Sequence, residues 1–151
     1  MKIIISNKSA LHNYEIIQKY QAGIVLSGHE VKSVKGARVS INDSFISIRK
    51  GEVYVNHLYI SPIPELDKLF KYNPTRVRKL LLNKSEISEI IKYIEKAGYT
   101  SVPLNIFLSG GRIKIQIAVV RGLKKYDKRE KEKKKDSLRD IERSQNIKYR
   151  I

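Results

Sequence analysis

Few side chains in this sequence could do covalent chemistry. His12, Glu30 and His57 are the imidazoles and carboxylate that acid–base cleavage of RNA would need. Three isolated residues carry little specificity, however, and histidines beside strands more often make hydrogen bonds or stack on bases. His12, His29 and His57 do not have the paired spacing of metal ligands. The chain has no cysteine, which excludes a thiol nucleophile, a thiolate zinc site and a disulfide framework. These residues predict a protein that is not an enzyme and carries no metal and no cofactor.

Positive charge is abundant instead. Thirty-one Lys and Arg against 15 Asp and Glu give a net charge of +16 over 151 residues. Such a field selects phosphate-rich or anionic partners. No apolar run reaches the roughly 18 residues of a membrane span, and Met1 to Ser9 lacks a signal-peptide pattern. Nucleic acid is therefore the leading partner class, with no membrane association and a cytoplasmic location expected. Arg76, Arg78 and Lys79 precede the run Leu80-Leu81-Leu82, a position suited to phosphate contact or to guarding an apolar strand from aggregation. Glu30 lies amid Lys32, Lys35 and Arg38. A carboxylate there repels phosphate unless it pairs with cations, caps a helix, or accepts from a base or ribose hydroxyl.

These residues must be held by secondary structure. Tyr14 to Leu26 reads as a strand with a bend or bulge at Gly23. Ser27 followed three residues later by Glu30 is a capping signal for a short helix ending at Gly36. Ser44 to Ile60 reads as a hairpin turning at Lys50-Gly51, and the proline-rich stretch Ser61 to Thr75 as a loop. Asn83 with Glu86 caps a helix whose apolar stripe is Ile87, Ile90, Ile91 and Ile94, stopping by Gly98. A second hairpin pairs Thr100 to Ser109 with Arg112 to Val120 across Gly110-Gly111. In it, Ile113, Ile115, Ile117 and Val119 alternate with Arg112, Lys114, Gln116 and Ala118. The predicted fold is mainly β: a small closed antiparallel barrel of the oligonucleotide-binding type with two or three short helices, the runner-up being an open α+β sandwich. Residues 121–151 hold 13 Lys and Arg against 6 Asp and Glu, with apolar side chains chiefly at Leu138, Ile141 and Ile147. That composition predicts a tail that is disordered when free. Pairs four apart, such as Asp127 with Lys131, support a helix on binding. The expected division is a core at 1–125 and a tail at 126–151.

Several runs, in this order, form a pattern: Asn7-Lys8 with His12 and Tyr14, Ala22-Gly23-Ile24, Gly28-His29-Glu30-Val31-Lys32-Ser33, and Asp43-Ser44. Downstream follow Arg76 to Leu82, Gly98-Tyr99-Thr100 with Pro103, Gly122, and Tyr126-Asp127-Lys128-Arg129-Glu130. Over essentially the whole chain this resembles the SsrA-binding protein (small protein B) family of bacteria. The resemblance implies a barrel that clasps the tRNA-like domain of transfer-messenger RNA, as a monomer with one protein per RNA. It further implies aid to charging by alanyl-tRNA synthetase and travel with elongation factor Tu, both through the shared RNA. The destination is the stalled ribosome in trans-translation, where the tail becomes helical in the mRNA channel beside the small-subunit decoding centre.

Carried over by resemblance, the RNA-binding residues are Asn7, Lys8, His12, Tyr14, Glu30, Lys32, Ser33, Arg76, Arg78, Lys79, Leu81 and Lys114. Glu30 and Lys114 are expected to project at the RNA-facing surface. The ribosome-directed residues are Gly122, Lys124, Lys125, Tyr126, Asp127, Lys128 and Arg129, with Tyr126 stacking on a decoding-centre base. Two departures stand out: Leu123 interrupts the family's Gly-Lys-Lys run, and Ile63 replaces a common aromatic residue after Ser61-Pro62. The rival readings are a ribosomal or initiation-type barrel bound permanently to rRNA, and a histidine-dependent ribonuclease.

Overall fold

The computed structural model describes residues 1–64 and 71–122; the expectations for the tail, and for part of the Ser61 to Thr75 loop, lie outside the described residues. The elements run β1 (Lys2–Ser6), α1 (Lys8–Asn13), β2 (Tyr14–Ile24), α2 (Gly28–Lys35), β3 (Val39–Ser40), β4 (Phe45–Arg49) and β5 (Glu52–Asn56). They continue with β6 (Tyr59–Ile60), β7 (Arg78–Leu81), α3 (Lys84–Ile94), β8 (Tyr99–Ser109) and β9 (Arg112–Gly122). The fold is mainly β, and its main sheet is antiparallel in the order β1-β8-β9-β2-β7-β5-β4, with β3 and β6 forming a small second sheet.

The expected closed barrel is corrected. The sheet curls so that β4 approaches β8, but its hydrogen-bonded order begins at β1 and ends at β4. Strand β1 pairs with β8 along Asn105 to Leu108, and no hydrogen-bonded ladder joins β4 to β8. What the curl encloses is one apolar core. Ala22, Val53, Val55, Leu80, Ile106, Ile115 and Ile117 line it from the strands, while Val34 of α2 and Ile90 of α3 are fully buried in it.

Both hairpins form as the turn residues dictate. Lys50 and Gly51 take φ of 50° and 73°, the two positive values a tight two-residue turn needs, and Gly110-Gly111 does the same between β8 and β9. Helices α2 and α3 start at the expected capping boxes: the Ser27 N–H donates to Glu30 and the Asn83 N–H to Glu86, at 3.0 and 3.1 Å.

Two local expectations change, and one irregularity is new. The irregularity in β2 falls between Ile16 and Gln18 rather than at Gly23. Strand β8 carries a bulge between Pro103 and Asn105, which accommodates a proline inside a long strand. Ala118, expected on the exposed face, is buried because α1 packs over it in a second small cluster of Ala10, Val102, Leu104 and Val120.

Candidate nucleic-acid interface

Register places the most exposed candidates side by side on the face of the sheet opposite the core. One row crosses five strands as Ile3, Phe107, Lys114, Gly23 and Leu81. Gly23 carries no side chain, so a gap opens between half-buried Lys114 and Leu81, which is 55 % exposed. A Cβ on Gly23 would stand 3.3 Å from the Leu81 Cβ, a tight contact that β7 would have to yield to by a few tenths of an ångström. Gly23, Leu81 and Lys114 are shared by two adjoining hollows, one reaching Val31, Arg112 and Ile113, the other Gln21, Asn83 and Glu86. The neighbouring row is polar: Ser6, Asn105, Gln116 and Gln21, with the Asn105 Nδ2 donating to Gln116 Oε1 at 2.8 Å. Farther along the same face lies α1, with Lys8 and His12 exposed.

The outward direction expected of Glu30 is corrected. Its side chain is 0 % exposed, as is that of Arg78. The carboxylate accepts from Arg78 Nε at 2.7 Å, Arg76 Nε at 3.1 Å and Ser27 Oγ at 3.1 Å, with the Tyr72 hydroxyl at 3.0 Å and a further ion-pair contact from Arg76 Nη2. Arg78 also donates to the carbonyls of Leu58 and Pro74, at 2.6 and 3.0 Å. Burial alone would push the Glu30 carboxyl up, but the donors from Arg76, Ser27 and Arg78 outweigh it and hold it at about 2. Burial, reinforced by the facing Glu30 charge and opposed by Arg78, pushes the Tyr72 hydroxyl up to about 12. Glu30 is therefore a buried anchor paired with half-exposed Arg76 and buried Arg78.

Three other candidates are buried for similar structural reasons. Arg78 is consumed by this network. Asn7 caps α1 through its side chain, accepting from the Ala10 N–H at 3.1 Å, and donates to the Pro103 carbonyl at 2.9 Å. Ser33 donates to the Ser61 carbonyl at 2.8 Å, tying α2 to the loop after β6. Asn7, Ser33, Glu30 and Arg78 thus have buried side chains engaged in hydrogen bonds within the protein. Lys32 is exposed on α2, Lys79 bridges to Glu52 at 3.0 Å, and Tyr14 is half-buried beside α1.

The candidates fall into two groups. Tyr14 and Gly23 stand nine residues apart on β2, which at about 3.3 Å per residue separates the α1 end from the Leu81–Lys114 groove by up to roughly 30 Å. Gly122 pairs with Tyr14, which places the last described residue at the α1 end. Lys124, Lys125, Tyr126, Asp127, Lys128 and Arg129 lie outside the described residues. The sequence reading missed Gln21, Asn83 and Arg112 at the groove, and Tyr72 in the Glu30 network. Period-two alternation from Gly23 to Gln21 and from Lys114 to Arg112 was the available signal. Among the described residues no cluster of His, Asp and Glu is placed to hold a metal ion, and no helix is long and apolar enough to cross a membrane.

The family model described as "SmpB protein" matches residues 4–147. An SsrA-binding protein of Geobacillus thermodenitrificans is 44 % identical over 143 residues, covering 95 % of this chain and 92 % of its own. One from Listeria monocytogenes is 45 % identical over the same length and coverage. A solved structure described as "tmRNA-SmpB: a journey to the center of the bacterial ribosome" contains a chain 38 % identical to this one, with a TM-score of 0.66, covering 83 % of this chain and 92 % of that one. Matched along nearly its whole length and in its fold, the chain belongs to the SmpB family of SsrA-binding proteins.

Proposed function

We propose that this protein is an RNA-binding adaptor that holds the tRNA-like domain of transfer-messenger RNA (SsrA RNA) and delivers it to stalled ribosomes for trans-translation. The observation that carries the reading is the Leu81–Gly23–Lys114 groove, in a strongly basic chain whose relatives are described as SsrA-binding. Lys114 and Arg112 meet phosphates, Leu81 packs against a ribose or base, and Arg76, steadied by Glu30, adds charge at the rim. No step makes or breaks a covalent bond, so affinity and orientation are the whole function. Residues 1–125 form the RNA-binding unit, of the oligonucleotide-binding type, and 126–151 the segment that engages the decoding centre and mRNA channel. The protein acts in the cytoplasm as a monomer on one RNA, and elongation factor Tu and alanyl-tRNA synthetase meet it through that RNA.

Filter binding of the tRNA-like domain, beside an rRNA hairpin of equal length, tests this. The wild-type protein should prefer the tRNA-like domain, and the double variant Lys114→Ala/Leu81→Ala should lose about tenfold or more in affinity, ~1.4 kcal/mol. Thermal melts of the same samples should stay within a few degrees, because both side chains reach the surface. Equal affinity for the two RNAs would instead favour a protein resident on rRNA.

A further inference from the structure

A separate cleft, walled by aromatic rings, lies away from the groove, where the edge strand β4 approaches the start of β8. It encloses about 280 Å³ and is lined by Asn13, Tyr14, Asn42, Asp43, Phe45 and Thr100, among others. Phe45 is 43 % exposed although phenylalanine gains most from burial. Its ring lies against His57, with centroids 5.4 Å apart and planes tilted by 35°. The floor is rigid. Ser44 N–H donates to the Ile41 carbonyl at 3.1 Å, closing a turn that leaves Asn42 and Asp43 exposed above fully buried Ile41. His57 holds a positive φ of 59°, and the adjacent Leu58 carbonyl accepts from buried Arg78 at 2.6 Å. The neighbouring Asn56 side chain donates to Ser47 Oγ at 2.8 Å. These bonds set the backbone on both sides of the aromatic pair.

An exposed aromatic ring beside exposed amide and carboxylate side chains has the composition of a site for an unstacked base: the ring takes the π-face and the polar groups take the edge. A carboxylate selects among bases, because it only accepts. Guanine offers two adjacent donors, N1–H and the N2 amine, whereas uracil offers one and places carbonyl oxygens on either side of it. We propose that this cleft binds an unpaired guanine presented by RNA, with Phe45 stacking on the base, Asp43 accepting from its N1–H and N2 amine, and Asn42 or Asn13 meeting O6. The site stands apart from the groove assigned to the tRNA-like domain, and it rests on the RNA-binding reading only for the source of the base.

The test is an NMR titration of the full-length protein with the pentamers UUGUU and UUUUU and with guanosine 5′-monophosphate. UUGUU should shift the backbone signals of Asn42 to Phe45 and of His57, and bind about tenfold or more tighter than UUUUU. Asp43→Asn should erase most of that preference. Phe45→Ala should weaken both pentamers about tenfold, while Phe45→Tyr should keep the affinity and show that loss came from the ring. Phe45→Ala should leave binding to the tRNA-like domain unchanged. Pentamers that bind alike, or that shift no cleft signal, overturn the guanine site. Guanosine monophosphate binding as tightly as UUGUU overturns an RNA source, and loss of tRNA-like domain binding in Phe45→Ala overturns its separateness. Failure of the wild-type protein to bind the tRNA-like domain would sink the adaptor reading whatever the pentamers do.

Discussion

At the scale of the residue, Glu30 shows how one side chain takes on two tasks. It caps α2 locally, and it neutralises Arg78, which is as fully buried as Glu30 itself. Removing one partner of such a pair strands the other charge in the core. Glu30→Ala should therefore cost about 3 to 5 kcal/mol at neutral pH, read from chemical denaturation. A variant as stable as the wild type would mean that Arg78 reaches water when unpaired. The acid limb has a definite sign. The folded value of about 2 lies below the ordinary 4.5, so the stabilisation is complete above about pH 4.5 and is lost as pH falls toward 2. At about 1.4 kcal/mol per pH unit this contribution is on the order of 3 kcal/mol. Melts between pH 6 and pH 2.5 should show Glu30→Gln with a flatter acid limb than the wild type. The capping role was legible in the spacing of Ser27 and Glu30. The charge partners were not: the sequence suggested Lys32, Lys35 and Arg38, whereas the bonding cations lie 46 and 48 positions away. Only the folding of β7 beside α2 brings them within reach.

At the scale of the element, legibility followed the strength of the local signal. Helix α3 has a capping box and an apolar stripe, and its Ile90 is 0 % exposed, filling the core between the sheet and the helix. Ile90→Ala should cost about 2 to 5 kcal/mol through lost burial and an unfilled cavity, seen as a lower melting temperature. A loss below about 1 kcal/mol would mean that α3 repacks freely. The β4–β5 and β8–β9 hairpins were legible because alternation and glycine turns are local. Strand β1 and helix α1 were not. Ile3-Ile4-Ile5 has no alternation, and its strand exists because β8 offers an edge. Helix α1 has six residues, too few to hold without the Asn7 cap and the apolar bed of Val102, Leu104, Ala118 and Val120.

At the scale of the whole molecule, charge and connectivity make the predictions. If about six phosphates are neutralised on binding, log K should fall with log salt at a slope of roughly −4 to −5; a slope near zero would remove the basic surface from the proposed function. Gly122, the last described residue, lies at the end of the sheet remote from the Leu81–Lys114 groove. Deleting residues 127–151 should therefore preserve binding of the tRNA-like domain while abolishing tagging on ribosomes stalled at the end of a truncated message. Near-normal tagging by the shortened protein would reduce the tail to a solubility extension. The sequence by itself determined the net charge, the absence of thiol chemistry, both hairpins, two capped helices and the family pattern, because each is written in composition or in residues a few positions apart. Tertiary structure alone decided that the sheet stays open, that Glu30 and Arg78 turn inward, and that Leu81, Gly23 and Lys114 form one groove. Those outcomes depend on which strand claims each free edge and on register between residues far apart in the chain, and no local periodicity encodes either.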